Sequence, residues 1–114
     1  MANIFDLPSS LPNQELFESL VAADNILIER IVSTGQTTAP GEWYDQERDE
    51  WVILLQGFAS VAYADGSEIK LRAGDYLFLP AHQKHRVTHT SSEPPCIWLA
   101  VHGNFEKILD RHRP

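Results

Sequence analysis

Three ionisable side chains sit in patterns that aim them toward a protein interior: Glu50, His85 and His89. Side chains two apart on a strand share a face, so a strand over residues 84–90 points His85, Val87 and His89 the same way. A strand over residues 50–55 puts Glu50 on the face of Val52 and Leu54. A carboxylate among apolar neighbours is costly unless it is paired or bound to a cation. That cost is the motive for a metal ion at Glu50 and His85. His89, whose ring titrates near neutral pH, is the candidate catalytic base or a further ligand. Each has a plainer alternative. His85 and His89 would be interior histidines held by hydrogen bonds, and Glu50 a surface acid beside Glu47 and Asp49.

These residues need a scaffold of short strands. After Asn25 the pattern has period two, first over residues 26–32 (ILIERIV) and then over 50–55 (EWVILL). Residues 58–64 and 68–72 flank Asp65-Gly66, a strong short hairpin signal. A turn at 73–75 leads to a strand over 76–79, stopped by Pro80. Further strands are expected over 84–90 and 96–102. Residues 13–23 (NQELFESLVAA) predict a short helix, because Leu16, Phe17, Leu20 and Val21 recur at helical spacing and Ser10 or Asn13 supplies a cap. A second short helix is expected over residues 104–110. Closely spaced short strands with helices only at the ends predict an all-β sandwich or barrel.

Composition limits the partners. A chain of 114 residues is one domain in size. Sixteen acidic against nine basic residues, a formal charge of −7, argue against nucleic acid, which needs clustered Lys and Arg. No apolar run reaches the ~18 residues of a membrane span. The single cysteine, Cys96, excludes an intrachain disulfide and reads as a small buried apolar residue. With no export signal in the first residues, a soluble cytoplasmic protein is expected.

The run GDYLFLPAHQKHRVTH, residues 74–89, resembles the second motif of the cupins: Gly, five residues, Pro, any residue, Gly, two residues, His, three residues, Asn. Gly74, Pro80 and His85 match in register. His82 stands where Gly is usual and His89 where Asn is usual. Glu50 and Gly57 match the Glu and final Gly of the first cupin motif, but its HxH pair is missing. Trp43 and Asp45, or Tyr44 and Gln46, occupy those positions. The resemblance implies a jelly-roll β-barrel over residues 26–102, preceded by a lead and helix over 1–25 and followed by a helix and tail over 103–114. It also implies a metal site of Glu50 and His85, with Asp45 and Gln46 as candidate oxygen ligands; a polar turn is the even alternative for those two. A mixed nitrogen–oxygen set suits Zn, Mn, Fe or Ni without choosing among them.

Among the other histidines, His82 is expected to be exposed in the turn after Pro80. His102 is expected to be an ordinary strand-end residue, the alternative being the opposite wall of the pocket. His112 carries no signal. Most of Trp43, Tyr44, Trp51, Phe78 and Trp98 are expected in core packing and a dimer interface, and some around a pocket for a small organic molecule. Two functions follow: a metal-dependent cupin enzyme, or a binding or sensing module using the same pocket without metal. Edge strands that need covering, and the habit of cupins of this size, lead us to expect a homodimer.

Overall fold

The computed structural model describes residues 1–105. Eight strands form among the described residues: β1 (Leu16–Ala23), β2 (Ile26–Ser33), β3 (Asp49–Gln56), β4 (Phe58–Tyr63), β5 (Glu68–Arg72), β6 (Tyr76–Leu79), β7 (His85–Thr90) and β8 (Cys96–Gly103). They pair into a five-stranded sheet of order β1-β2-β8-β3-β6 and a three-stranded sheet of order β5-β4-β7, all antiparallel. The jelly-roll expectation needs one correction: the described strands make two facing sheets rather than one closed barrel. Short links join them. Gly74 N–H donates to the Leu54 carbonyl at 2.7 Å, and Tyr44 exchanges backbone hydrogen bonds with His85 at 2.8 and 3.2 Å.

The expected helix over 13–23 is instead strand β1, with its register running from Leu16↔Val32 to Ala23↔Ile26. The reason is visible in the pairing. Asp24-Asn25 makes a two-residue hairpin loop, and the β-branched run of β2 offers a full ladder to its partner. A bulge at Leu20 breaks the two-residue alternation, so apolar residues fall at 16, 17, 20 and 21 and mimic a helical stripe. The helix expected over 104–110 is not seen at Asn104 or Phe105, and the remainder lies outside the described residues, as does His112.

The core lies between the sheets. Val52, Leu54, Leu79, Trp98 and Ala100 from the larger sheet meet Ala59, Val61 and Leu71 from the smaller one. Period two predicts these inward positions, since each strand gives alternate residues to one face. Cys96 is buried and free, as expected. The outer face of β2 is covered too: Arg30 donates to Glu18 at 2.6 Å and to the carbonyls of Ile4 and Asp6 at 3.1 and 2.6 Å, which ties residues 4–6 down. No helix among the described residues is long and apolar enough to cross a membrane.

Candidate binding cavity between the sheets

At one end of the core the inward-facing residues become polar. Glu50 on β3 lies directly opposite His102 on β8. Glu29 on β2 sits diagonally from His102, on the same face, and its carboxylate meets His102 Nε2 at 2.9 Å. Three neighbouring strands thus carry an acid–imidazole–acid row. Both members of the Glu29–His102 pair are largely shielded, with side chains 16% and 11% exposed. Glu50 is 7% exposed.

The facing wall comes from β7 and the segment before β3. The Tyr44 ring stacks on His85, with centroids 5.3 Å apart and planes 20° apart. His85 is buried, and its Nδ1 lies 3.0 Å from the Gln83 carbonyl oxygen, which accepts when that nitrogen carries the proton. Gln46 donates to the Glu50 carboxylate. Below this polar mouth Ile31, Val52, Val61, Leu79, Val87 and Trp98 line an apolar floor, and Glu15 and Phe17 stand at the rim. The cavity is about 90 Å³ and opens to solvent. Typical whole-ligand pockets run to roughly 300–1,000 Å³, so this cavity fits one end of a molecule.

Burial and neighbouring charge set the protonation of this wall. Desolvation, reinforced by Glu29, holds the Glu50 carboxyl above its ordinary range, against the opposing pull of His102 and Gln46. Desolvation lowers His85, outweighing its hydrogen bond to Gln83, so the imidazole is held neutral. The Tyr44 phenol is raised by burial and then by Glu15 and Glu50.

The structure brings together Glu50, His85 and Gln46, which the sequence nominated. It separates the other two. Asp45 points outward and pairs with the exposed His82 at 2.9 Å. Of the two alternatives at the missing HxH positions, Tyr44 and Gln46 face inward, because alternation sends Trp43 and Asp45 the other way. His89 is exposed, a correction to the expectation that it shares a face with His85. Ser60 pairs with His89 but Val61 pairs with Val87, so Thr88 is an extra bulged residue and the alternation flips after it. His102 takes the wall position that sequence reasoning placed second. Glu29 was missed, although a lone acid on the face of Leu27 and Ile31 was a signal. Glu15 is hidden in the sequence by the helical spacing of apolar residues over 13–23.

His82 explains its own departure from the cupin pattern. It has φ of 65°, the left-handed region where Gly carries no penalty. Its N–H donates to the Gln46 carbonyl at 2.8 Å, which fixes the turn.

The donor set does not fit a metal ion. Among the described residues no three of His, Cys, Asp or Glu are grouped to hold one. Tyr44 and Gln46 stand in place of the two motif histidines, and His102 is already engaged by Glu29.

Comparison with known proteins places this geometry. A family model described as "Cupin domain" matches residues 30–102. A crystal structure from Ralstonia eutropha JMP134, provisionally named a mannose-6-phosphate isomerase, is 41% identical, covers 92% of this chain and 98% of its own, and superposes with a TM-score of 0.84. A cupin superfamily protein from Desulfitobacterium hafniense DCB-2 is 22% identical over 86% of this chain and 84% of its own, with a TM-score of 0.71. A protein from Thermus thermophilus is 21% identical over 91% of this chain and 96% of its own, with a TM-score of 0.73. The last two likenesses speak to the fold alone. No match was found among curated proteins.

Proposed function

This chain belongs to the cupin domain family, and from that premise we propose that it is a binding or sensing module that takes the polar end of a small organic molecule through side chains alone. The observation that carries this reading is the use of the polar mouth. Tyr44 and Gln46 replace the motif histidines, and Glu29 engages His102, while a cavity remains open beside Glu50 and His85. A polar mouth over an apolar floor gives orientation from a few hydrogen bonds and affinity from burial.

The provisional name of the Ralstonia eutropha structure suggests a phosphorylated sugar. The cavity favours something else. Glu15, Glu29 and Glu50 line it, and no Lys or Arg is among its described lining residues. A phosphate dianion would meet carboxylates where it needs cationic or N–H donors. His89, exposed on the outer side, takes no part in this reading. The exposed edge strand β1, with Phe17, Leu20 and Val21 about half exposed, is the surface through which we expect a homodimer to form.

The test is a thermal-shift and calorimetric screen of the full chain against small metabolites, with metal content measured on protein purified without added metal. We expect stabilisation by an organic ligand that is weakened in Glu50→Gln and unchanged by a chelator. A near-stoichiometric transition metal whose removal abolishes binding overturns the reading.

A further inference from the structure

Acids dominate the polar lining of the cavity, beside the donors of Gln46 and Tyr44. When ionised, the carboxylates of Glu15, Glu29 and Glu50 are acceptors only, with Glu15 already taking the Ser33 hydroxyl at 2.6 Å and Glu29 meeting His102, and a neutral His85 with its proton on Nδ1 toward Gln83 presents Nε2 as a further acceptor. Glu50 is more than nine-tenths buried, yet the described hydrogen bonds give its carboxylate one donor, Gln46, against about four acceptor positions. The usual remedy for a buried carboxylate is an Arg or Lys beside it, and neither is among the described lining residues. The His102 imidazole opposes only part of this cost: it pulls the Glu50 carboxyl down, but its Nε2 is turned to Glu29, and burial still holds Glu50 above its ordinary range.

Shape adds to charge. Tyr44, Trp98 and Phe17 bring three aromatic rings to the same cavity. Ring faces attract cations, most strongly when the site is screened from water. The cavity is small, about 90 Å³, and suits an amino group with a short alkyl stem rather than a whole larger ligand. Next to it lies a wider, open groove along Ala23, Asp24, Leu27 and Arg48 that shares Glu29, Gln46 and His102 with the cavity. A longer ligand can therefore seat one end and lay the rest outside.

We propose that the ligand of this cavity is an organic amine, bound as its ammonium with the cationic end beside Glu50 and its alkyl carbons over Trp98 and Val52. The proposal rests on the reading of the cavity as a metal-free organic-ligand site and adds the charge and donor character of the ligand. An ammonium offers three N–H donors and no acceptor, the complement of this wall.

The test uses three probes of one shape and different charge: propylammonium, 1-propanol and propanoate, with zinc chloride and manganese chloride as separate arms. Each is titrated into the full-length protein while amide and indole N–H resonances are followed by NMR. We expect propylammonium to shift the Trp98 indole and the amides around Glu50 and His102, and to bind at least about tenfold more tightly than the other two probes. Glu50→Gln should weaken it by about tenfold. Equal or tighter binding of 1-propanol or propanoate in this cavity overturns the amine proposal and leaves the organic-ligand reading standing. Zinc or manganese shifting the same resonances, with propylammonium silent, overturns both. No response to any probe also overturns the amine proposal. The probe comparison uses the unaltered protein, so it holds even if the variant fails to fold.

Discussion

Gly57 joins β3 to β4, and replacing it by alanine separates two costs that are usually confused. Its φ is +94°, a region that disfavours any side chain, but Gly41 has φ of +83° and shares that cost. The surroundings differ. A Cβ at Gly41 meets nothing within 4 Å, whereas at Gly57 it would lie 2.7 Å from Ser91 Oγ, 2.9 Å from Cys96 Sγ and 3.0 Å from Cys96 Cα. Ser91 Oγ is not free to swing away. It accepts from Phe58 N–H at 3.1 Å and donates to the Pro94 carbonyl at 2.6 Å. Cys96 is 0% exposed in β8, and its Sγ donates to the Phe58 carbonyl at 3.1 Å. The left-handed backbone costs about 1–2 kcal/mol in both variants. The lost freedom of the unfolded chain, about 0.4–1 kcal/mol in the opposite direction, is likewise common to both. At Gly57 alone, overpacking adds about 1–3 kcal/mol, and displacing Ser91 about 1 kcal/mol more for each hydrogen bond lost. We therefore expect Gly57→Ala to be about 2–5 kcal/mol less stable than Gly41→Ala, the overpacking cost plus one or both Ser91 hydrogen bonds. Urea unfolding read by tryptophan fluorescence measures it, as a fall in midpoint at constant slope. Losses equal within about 0.5 kcal/mol would refute the steric account and leave backbone conformation as the whole reason for glycine here.

Three further outcomes follow from side-chain geometry. Asp49 accepts the Ala81 N–H at 2.8 Å and the Phe105 N–H at 3.0 Å, and these bonds hold its carboxyl below the usual range. A depressed acid stabilises above its unfolded pKa and loses that contribution as pH falls through the folded value. The Asp49 carboxyl is largely solvent-screened, so Asp49→Ala should cost about 1 kcal/mol at pH 7 and progressively less in acid; a constant loss at every pH sinks this account. Glu50 is raised by burial and by Glu29, so its contribution is present below the ordinary carboxylate range and declines as pH rises through its folded value. Glu50→Gln should therefore be more stable than the parent at pH 8 and flatter between pH 4 and 8, as followed by melting temperature; a less stable variant at pH 8 contradicts it. His82→Gly relieves the left-handed backbone at the loss of an exposed pair with Asp45, which is worth little. It should be neutral or stabilising by up to about 1 kcal/mol in the same urea assay, and a loss above that range would mean the pair matters more than its exposure suggests.

The sequence by itself determined seven of the eight described strands, because period two and turn chemistry are local. The Asp65-Gly66 hairpin, the stop at Pro80 and the inward set Val52, Leu54, Trp98 and Ala100 all follow from spacing. The motif glycines at 57 and 74 were legible for the same reason: each sits at positive φ. So was Glu50, an acid on an apolar face. What escaped the sequence lies at bulges and across strands. One inserted residue, Leu20, disguised β1 as a helix, and another, Thr88, turned His89 out of the cavity. An extra residue reverses every side chain beyond it, yet it leaves no mark that alternation alone can read. The Glu29–His102–Glu50 row was equally hidden, because its members lie on three strands brought side by side by pairing between distant parts of the chain. Only the tertiary register decided which acids share a wall with which imidazole, and so what the cavity can bind.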